Sequence, residues 1–237
     1  MHAPATQPIP VDLLLRAYRA GVFPMADHRT DTDVYWVEPR NRAIIPLDGF
    51  RLSASLRKSL RQDRFRVTCN RAFGETIAAC AEPREEHAES WISHRIEASY
   101  VALHRAGHAH SIECWQGGAL VGGLYGVAFD RVFCGESMFS RTSNASKTAL
   151  AWLVAAMRDA GYLLLDCQFM TDHLKTMGAV ELPQARYLDM LSQAMGRAEA
   201  TIPATIAAYA SESSSPDEAG AASSPGKLIV QSLTQTS

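Results

Sequence analysis

The stretch FCGESMFSRTSNASKTAL, residues 133–150, contains the change of period that decides the fold. Its first half predicts an extended segment, in which a period of two puts Cys134, Glu136 and Met138 on one face. A carboxylate on an apolar face is costly unless a cation meets it. We therefore expect Glu136 to pair either with an Arg or Lys of the same chain or with a cationic substrate.

Helical spacing follows in NASKTALAWLVAAMRDAG, residues 144–161, with Asn144 as the expected N-cap and Gly161 as the expected end. The next segment, YLLLDCQ, has the apolar composition of a buried strand. Strand, helix and strand in this order form a crossover, so the pattern predicts a parallel pair of strands. Before the crossover, HSIECW, QGG and ALVGGLYGVAF predict a hairpin that turns at Gly117-Gly118.

These patterns predict an α+β fold, and at 237 residues the chain could form one large domain or two small ones. Residues 211–237 are rich in Ser, Ala, Gly and Pro, which predicts a disordered tail.

Composition narrows the class of protein. Hydrophobic residues make up 47% of the chain and charged residues 20%, which is ordinary for a globular enzyme. The chain has no apolar run long enough for a membrane span and no secretory signal pattern, so we expect a cytoplasmic protein. Five cysteines without a C-x-x-C pair predict neither a disulfide framework nor a thiolate zinc site.

A basic block occupies residues 51–71, where seven Arg or Lys residues stand against one acid, Asp63. Such a block is a candidate binding surface for phosphates, and a solvated helix face is the alternative. The candidate phosphate ligands are Arg57, Lys58, Arg61 and Arg64.

Asp166 and Gln168 point to the same side at the end of the predicted buried strand. Ligands commonly bind at such strand ends, although Asp166 could instead cap a loop or pair with an Arg. No G-x-S-x-G elbow, Walker loop or G-x-G-x-x-G pattern is present. His108 and His110 lack further ligands nearby in the sequence, so we predict no metal site.

Several motifs in order resemble one known family. GVFPM, YWVEPR, GHAHSIE, LVGGLYGV, FCGESMFSRTSNASKTAL and DCQ with a following DH are similar to the leucyl/phenylalanyl-tRNA–protein transferases of bacteria. The resemblance runs from about Val11 to Ala194. It implies a GNAT-like catalytic acyltransferase domain over residues 51–210 behind a smaller N-terminal α+β domain over residues 1–50, with no metal or coenzyme.

The resemblance also implies an activity, which is transfer of Leu or Phe, and less readily Met, from aminoacyl-tRNA to proteins that begin with Arg or Lys. The products would enter the bacterial N-degron degradation pathway. The expected partners are Leu-tRNA, Phe-tRNA and these acceptor proteins, and we expect a monomer that does not bind a membrane.

Site residues follow from the same resemblance. Asp166 and Gln168 are the implied catalytic pair, in which Asp166 orients Gln168 and helps the amine lose its proton. Glu136 is the implied recognition group for the acceptor N-terminus, with an internal salt bridge as the alternative. The implied aminoacyl pocket consists of Leu124, Phe133, Met138, Leu150 and Met157, and Trp36 and Trp91 are implied to stack on the terminal adenosine.

Two other functions fit parts of the sequence. A GNAT enzyme that uses acetyl-CoA would need a glycine-rich turn before the crossover helix, and the turn here, SRTSNASK, has no glycine. A noncatalytic tRNA-binding protein would explain the basic block and the aromatic residues, but it leaves Asp166 and Gln168 without a role.

Overall fold

The computed structural model describes residues 7–83, 89–212 and 224–235. The helices in these ranges are α1 (Val11–Arg19), α2 (Ala54–Arg61), α3 (Phe73–Cys80), α4 (His94–Arg105), α5 (Ala145–Asp159), α6 (Asp172–Thr176), α7 (Gln184–Gln193), α8 (Ile202–Glu212) and α9 (Pro225–Thr234). The strands are β1 (Phe23–Met25), β2 (Tyr35–Val37), β3 (Asn41–Ile45), β4 (Arg66–Cys69), β5 (Ala109–Gln116), β6 (Ala119–Phe129), β7 (Val132–Ser140), β8 (Leu164–Gln168) and β9 (Val180–Pro183).

A seven-stranded mixed sheet of order β4-β5-β6-β7-β8-β3-β9 forms the centre of the molecule. All neighbours in it are antiparallel except β7 and β8, whose parallel pairing confirms the predicted crossover. Strand β3 lies between β8 and β9, so the sheet runs across the domain boundary expected at residue 50. Strands β1 and β2 form a separate antiparallel pair.

Helices cover both faces of the sheet, which has one hydrophobic core on each side. Phe133 packs in the core under α2, α5, α8 and α9, whereas its neighbour Cys134 packs in the core under α1, α3, α4 and α7. Leu165 and Leu164 divide between the two cores in the same way. This alternation follows from the period of two along a strand that is buried on both faces.

Glycines fix the geometry of the hairpin between β5 and β6. Gly117 and Gly118 have φ values of 57° and 84°, as a two-residue turn with left-handed residues requires. Gly126 lies where the pairing of β6 with β7 shifts register, and a Cβ there would stand 2.2 Å from the carbonyl oxygen of Cys134. The predicted hairpin is confirmed.

The predicted cap of helix α5 is wrong. Asn144 adopts a left-handed conformation with φ of 70°, and its side chain makes no capping hydrogen bond. The hydroxyl of Ser140 instead accepts a hydrogen bond from the backbone N–H of Ser146. Since a left-handed residue directs its side chain away from the first turn, a residue of the preceding strand supplies the acceptor.

The predicted disordered tail is wrong for helix α9. Ser224 caps this helix by accepting from the N–H of Lys227, and Ile229 and Val230 are buried in the core beside α5. The whole segment has few apolar residues, but Ile229, Val230 and Leu233 lie at helical spacing and pack on the core. Residues 213–223 and 236–237 of the expected tail lie outside the described residues.

The parallel pair opens at the end that carries the site. Strands β7 and β8 are paired over only three positions, from Val132 opposite Leu164 to Cys134 opposite Asp166. Beyond these positions the strands separate and leave a cavity between them. No helix in the described parts of the chain is long and apolar enough to cross a membrane.

Candidate active site

The cavity between the separated strands has a volume of about 600 Å³. Its polar wall includes the side chains of Glu136 from β7 and Gln168 from β8. Much of the rest is apolar, formed in part by Leu124, Met138, Leu150, Leu153, Leu165 and Leu174. The wall also includes Glu82 and Arg141, which pair with each other, and His173.

Glu136 is 6% exposed and is held by three donors. Oε1 accepts from the hydroxyl of Tyr18 at 2.7 Å, and Oε2 accepts from the hydroxyl of Tyr100 at 2.8 Å and from Nε2 of Gln168 at 2.9 Å. Burial raises the pKa of Glu136 to about 7 although these hydrogen bonds favour the carboxylate. No ion pair joins Glu136 to a Lys, Arg or His among the described residues, so the alternative prediction of an internal salt bridge is wrong.

The two tyrosines bring remote helices to this carboxylate. Tyr18 lies on α1 and Tyr100 on α4, both are fully buried, and their hydroxyl oxygens are 2.5 Å apart. Burial and the neighbouring Glu136 raise the pKa of both phenols well above the usual value. Sequence periodicity places these tyrosines on buried helix faces, but it does not show what their hydroxyls meet.

Gln168 has an unusual backbone for a residue with a side chain, with φ of 62°. Its N–H donates to Oδ1 of Asp166 at 2.8 Å, which fixes this conformation, while its side-chain nitrogen donates to Glu136. Strained backbone of this kind is common at functional sites. Asp166 thus orients the main chain of Gln168, and Glu136 orients its side chain.

Asp166 is fully buried and its oxygens are fully occupied. Oδ1 accepts from Nε of Arg42 at 2.9 Å and from the Gln168 N–H, and Oδ2 accepts from the Arg42 guanidinium at 2.5 Å and from the hydroxyl of Tyr187 at 3.1 Å. Four donors fill the capacity of a carboxylate. Asp166 therefore pairs with an Arg, the alternative that the sequence left open, and it is not part of the cavity wall.

Arg42 is the functional neighbour that sequence reasoning missed. It is fully buried on β3, with its guanidinium carbon 4.8 Å from the ring centre of Phe23 and 4.4 Å from that of Tyr187. It also donates to the carbonyl of Gly21 at 3.0 Å. An arginine within the apolar strand NRAII was the available signal, because such a side chain requires a buried carboxylate.

Three of the five predicted aminoacyl-pocket residues lie in the cavity wall. They are Leu124, Met138 and Leu150. Phe133 and Met157 are fully buried in the core under α5 and do not line the cavity. Phe133 precedes the point at which β7 and β8 separate, and Met157 lies about two helical turns beyond Leu150, so both pack where the sheet is closed.

The predicted nucleic-acid contacts lie in different places. Trp91 lines the cavity, whereas Trp36 is on β2 and is 40% exposed. Arg57, Lys58 and Arg61 line a separate recess along α2.

The remaining predicted phosphate ligand, Arg64, follows α2, and its guanidinium lies over the ring of Phe65. Within the described ranges no group of three or more His, Cys, Asp or Glu side chains is arranged to hold a metal ion.

Comparison with known proteins shows the family to which the chain belongs. Residues 44–192 match the model of the leucyl/phenylalanyl-tRNA protein transferase family, and residues 8–40 match the model of the N-terminal domain of the same family. The chain belongs to the leucyl/phenylalanyl-tRNA protein transferase family. This membership makes it an aminoacyltransferase and confirms the resemblance read from the motifs.

Relatives in this family are close. The leucyl/phenylalanyl-tRNA–protein transferase of Novosphingobium aromaticivorans is 54% identical and aligns with 97% of each chain. That of Rhizorhabdus wittichii is 62% identical over 78% of this chain and 75% of its own. Among solved structures, a functionally unknown conserved protein from Staphylococcus epidermidis is 10% identical, with a TM-score of 0.40 over 76% of this chain and 67% of its own.

Proposed function

We propose that this transferase moves Leu or Phe, and less readily Met, from aminoacyl-tRNA to the N-terminal Arg or Lys of acceptor proteins. The observation that carries the proposal is the carboxylate of Glu136, which lines a largely apolar cavity and, unlike Glu82 in the same wall, has no cationic partner among the described residues. An apolar side chain and a cationic N-terminus are what such a site accommodates. The peptide-bonded products would be substrates for N-degron degradation.

The aminoacyl side chain would enter the apolar part of the cavity. Leu124 and Leu150 supply branched aliphatic walls, and Met138 supplies a flexible one that adapts to Leu, Phe and Met. The volume of about 600 Å³ leaves room for the ester and the incoming amine beside the side chain.

The reaction is aminolysis of an ester that is already activated. A positioned amine, a positioned ester and donors for the developing oxyanion account for most of the acceleration in such reactions. Gln168 is at the cavity wall, and Asp166 and Arg42 hold its backbone in place. Asp166 then acts through Gln168 as a positioning residue.

The tRNA would lie outside the cavity. Trp91 at the wall, with Trp36 on the two-stranded sheet, would stack on the terminal adenosine, and the basic face of α2 would contact acceptor-stem phosphates. We infer a GNAT-like catalytic domain, supported by the parallel pair β7 and β8 that separates beside the site. A monomer in the cytoplasm remains the expectation.

The test is transfer of labelled Leu from Leu-tRNA to a peptide that begins with Arg, beside matched peptides that begin with Glu and Ala. We expect product with the Arg peptide alone. With intact charged tRNA and folded protein, an absence of transfer to every peptide would overturn the proposal. An acetyl group transferred from acetyl-CoA instead would assign the cavity to the coenzyme A reaction.

A further inference from the structure

Three oxygen–oxygen contacts join Glu136, Tyr18 and Tyr100, but the two phenols have only two hydrogens to place in them. Tyr18 contacts Glu136, Tyr100 contacts Glu136, and the two hydroxyls contact each other at 2.5 Å. Each phenol has one hydrogen to donate. If both phenols donate to an ionised Glu136, two lone pairs face each other across the Tyr18–Tyr100 contact.

A third hydrogen, carried by Glu136, satisfies all three contacts. Glu136 then donates from Oε1 to the Tyr18 oxygen, Tyr18 donates to Tyr100, and Tyr100 donates to Oε2, which also accepts from Gln168. The three groups form a closed ring, which we call the Glu–Tyr–Tyr ring. Completing the ring favours the protonated acid, so this carboxyl is built to gain a proton.

The two carboxylates of the site differ in their free acceptor positions. Asp166 has four donors and is fully buried, so it has no position left for a substrate. Glu136, when ionised, has three donors and one open position on Oε1, and it faces the cavity. One open position fits a single N–H of an ammonium group better than the two-pronged face of a guanidinium.

We propose that Glu136 is the catalytic base that takes the proton from the α-ammonium group of the acceptor protein, with Tyr18 and Tyr100 as positioning residues that complete the ring around that proton. This inference rests on the proposed function and assigns Glu136 to the nitrogen that reacts.

The proton and bond changes balance. The ammonium gives one proton to the Glu136 carboxylate and becomes the neutral amine. The amine nitrogen then forms a bond with the ester carbonyl carbon, and the bond from that carbon to the ribose oxygen breaks. A second proton of the nitrogen passes to the leaving ribose oxygen, and Glu136 releases the first proton to solvent.

The other titratable groups near Glu136 stay neutral or are paired. Tyr18 on α1, Tyr100 on α4, Tyr125 on β6 and Cys134 on β7 have raised pKa values because they are buried. The charge of Asp166 on β8 is compensated by Arg42 on β3. Glu82 and Arg141, which also line the cavity, pair with each other, and His173 lies in the same wall. Burial raises the pKa of Glu136 to about 7, so its charge changes near pH 7.

The first test is the single-turnover rate of Glu136→Gln with an Arg peptide as the pH is raised. We expect a loss of about 100-fold near pH 6.5, as for removal of a general base. The deficit should shrink below about tenfold near pH 9, because the α-amine, with a pKa of about 7.7–8.0, ionises without help there. If Glu136 instead bound the Arg side chain of the peptide, the deficit would persist at high pH and appear in KM, because that side chain keeps its charge at both pH values. This result would overturn the proposal.

A second readout does not depend on activity. The infrared difference spectrum between the unchanged protein and Glu136→Gln should contain the carbonyl band of a neutral carboxylic acid below about pH 7 and lose it above. Tyr18→Phe opens the ring and removes the acceptor of the Glu136 proton, so it should move this loss to lower pH. Absence of the band at pH 5 to 6 would overturn the ring.

The matched control is Glu113→Gln on β5. Glu113 is fully buried and also accepts from three donors, Thr68, Ser111 and the N–H of Ala72, and it does not line the cavity. We expect its pH profile of transfer to equal that of the unchanged protein. If the unchanged protein transfers no amino acid to the peptide at any pH, the proposed function fails. If Glu136→Gln transfers the amino acid with the pH profile of the unchanged protein, only this inference is overturned.

Discussion

At the residue scale, two carboxylates on neighbouring strands have opposite surroundings. Asp166 faces a buried guanidinium at hydrogen-bonding distance, and Glu136 faces two phenols and an amide. A neighbouring cation favours the charged acid, whereas neutral donors only partly offset the cost of burial. Asp166 and Glu136 lie on neighbouring strands, and they differ in the side chains that each one contacts.

The raised pKa of Glu136 predicts a pH-dependent stability difference. In the folded protein Glu136 holds its proton up to about pH 7, while in the unfolded chain it loses the proton near 4.5. The folded state therefore binds more protons between these values, and stability falls as the pH rises through them. Relative to Glu136→Gln, the unchanged protein should lose on the order of 3 kcal/mol of unfolding free energy from pH 4.5 to 7.5.

Urea unfolding of both proteins across this pH range is the measurement. Parallel stability curves for the unchanged protein and Glu136→Gln would show that Glu136 titrates normally, which contradicts the expectation.

Removing Arg42 should be costly because it leaves a buried charge. We expect Arg42→Met to lower the unfolding free energy by about 3–5 kcal/mol, and Arg42→Met combined with Asp166→Leu to lose less than the sum of the two single changes. Arg19, which is 44% exposed and pairs with Asp130, is the matched control. Arg19→Met should cost less than about 1 kcal/mol. Additive losses at Arg42 and Asp166 in chemical denaturation would argue against a coupled pair.

At the element scale, the site depends on where two strands stop pairing. Only three residues of β7 and β8 are in register, and the next polar side chains, Glu136 and Gln168, therefore meet across an opening. Helix α9 supports the opposite end of the same layer by packing on α2 and α5. The closest approach there is at Gly226, where a Cβ would stand 1.9 Å from the carbonyl oxygen of Leu60.

Gly226→Ala should displace α9 from the core. Because the Leu60 carbonyl is backbone and cannot move aside cheaply, we expect a loss of about 1–3 kcal/mol in unfolding free energy. A Cβ at Gly74 in α3 would meet nothing within 4 Å beyond its own helix, so Gly74→Ala should stabilise the protein by up to about 1 kcal/mol. Thermal unfolding of both variants measures the contrast, and equal melting temperatures would exclude a structural role for α9.

At the scale of the whole molecule, the proposed catalytic cavity and the basic recess on α2 are on separate surfaces. The cavity lies between β7 and β8, while Arg57, Lys58 and Arg61 line their own recess on α2. Binding of tRNA and transfer of the amino acid should therefore be separable by substitution.

Replacing Arg57, Lys58 and Arg61 together by Gln should weaken tRNA binding and reduce its salt dependence. Each lost phosphate contact lowers the slope of log K against log salt by about 0.7–0.9, so three contacts lower it by about 2. Transfer at saturating tRNA should change less than about twofold. A charge-matched control replaces the exposed Arg105, Arg186 and Arg197 by Gln. An equal loss of binding in both variants, measured by filter binding, would point to net charge alone.

Much of the fold could be predicted because short-range pattern sets it. The crossover, the hairpin at Gly117-Gly118 and the buried faces of α1 and α4 all follow from spacing and turn chemistry. Helix α9 was missed because its four apolar residues stand in a segment of polar composition. The prediction that the Asn144 side chain caps α5 was wrong because spacing does not show a left-handed backbone, and Ser140 accepts the hydrogen bond instead.

The sequence by itself determined the order of elements, the family and the polar residues Glu136, Asp166 and Gln168 at the strand ends. Only the tertiary structure decided which partner each one meets. Tyr18 and Tyr100 are 82 residues apart in the chain, and Arg42 and Asp166 are 124 apart. Periodicity reports which face of an element is buried, whereas contacts across such separations depend on how whole layers pack.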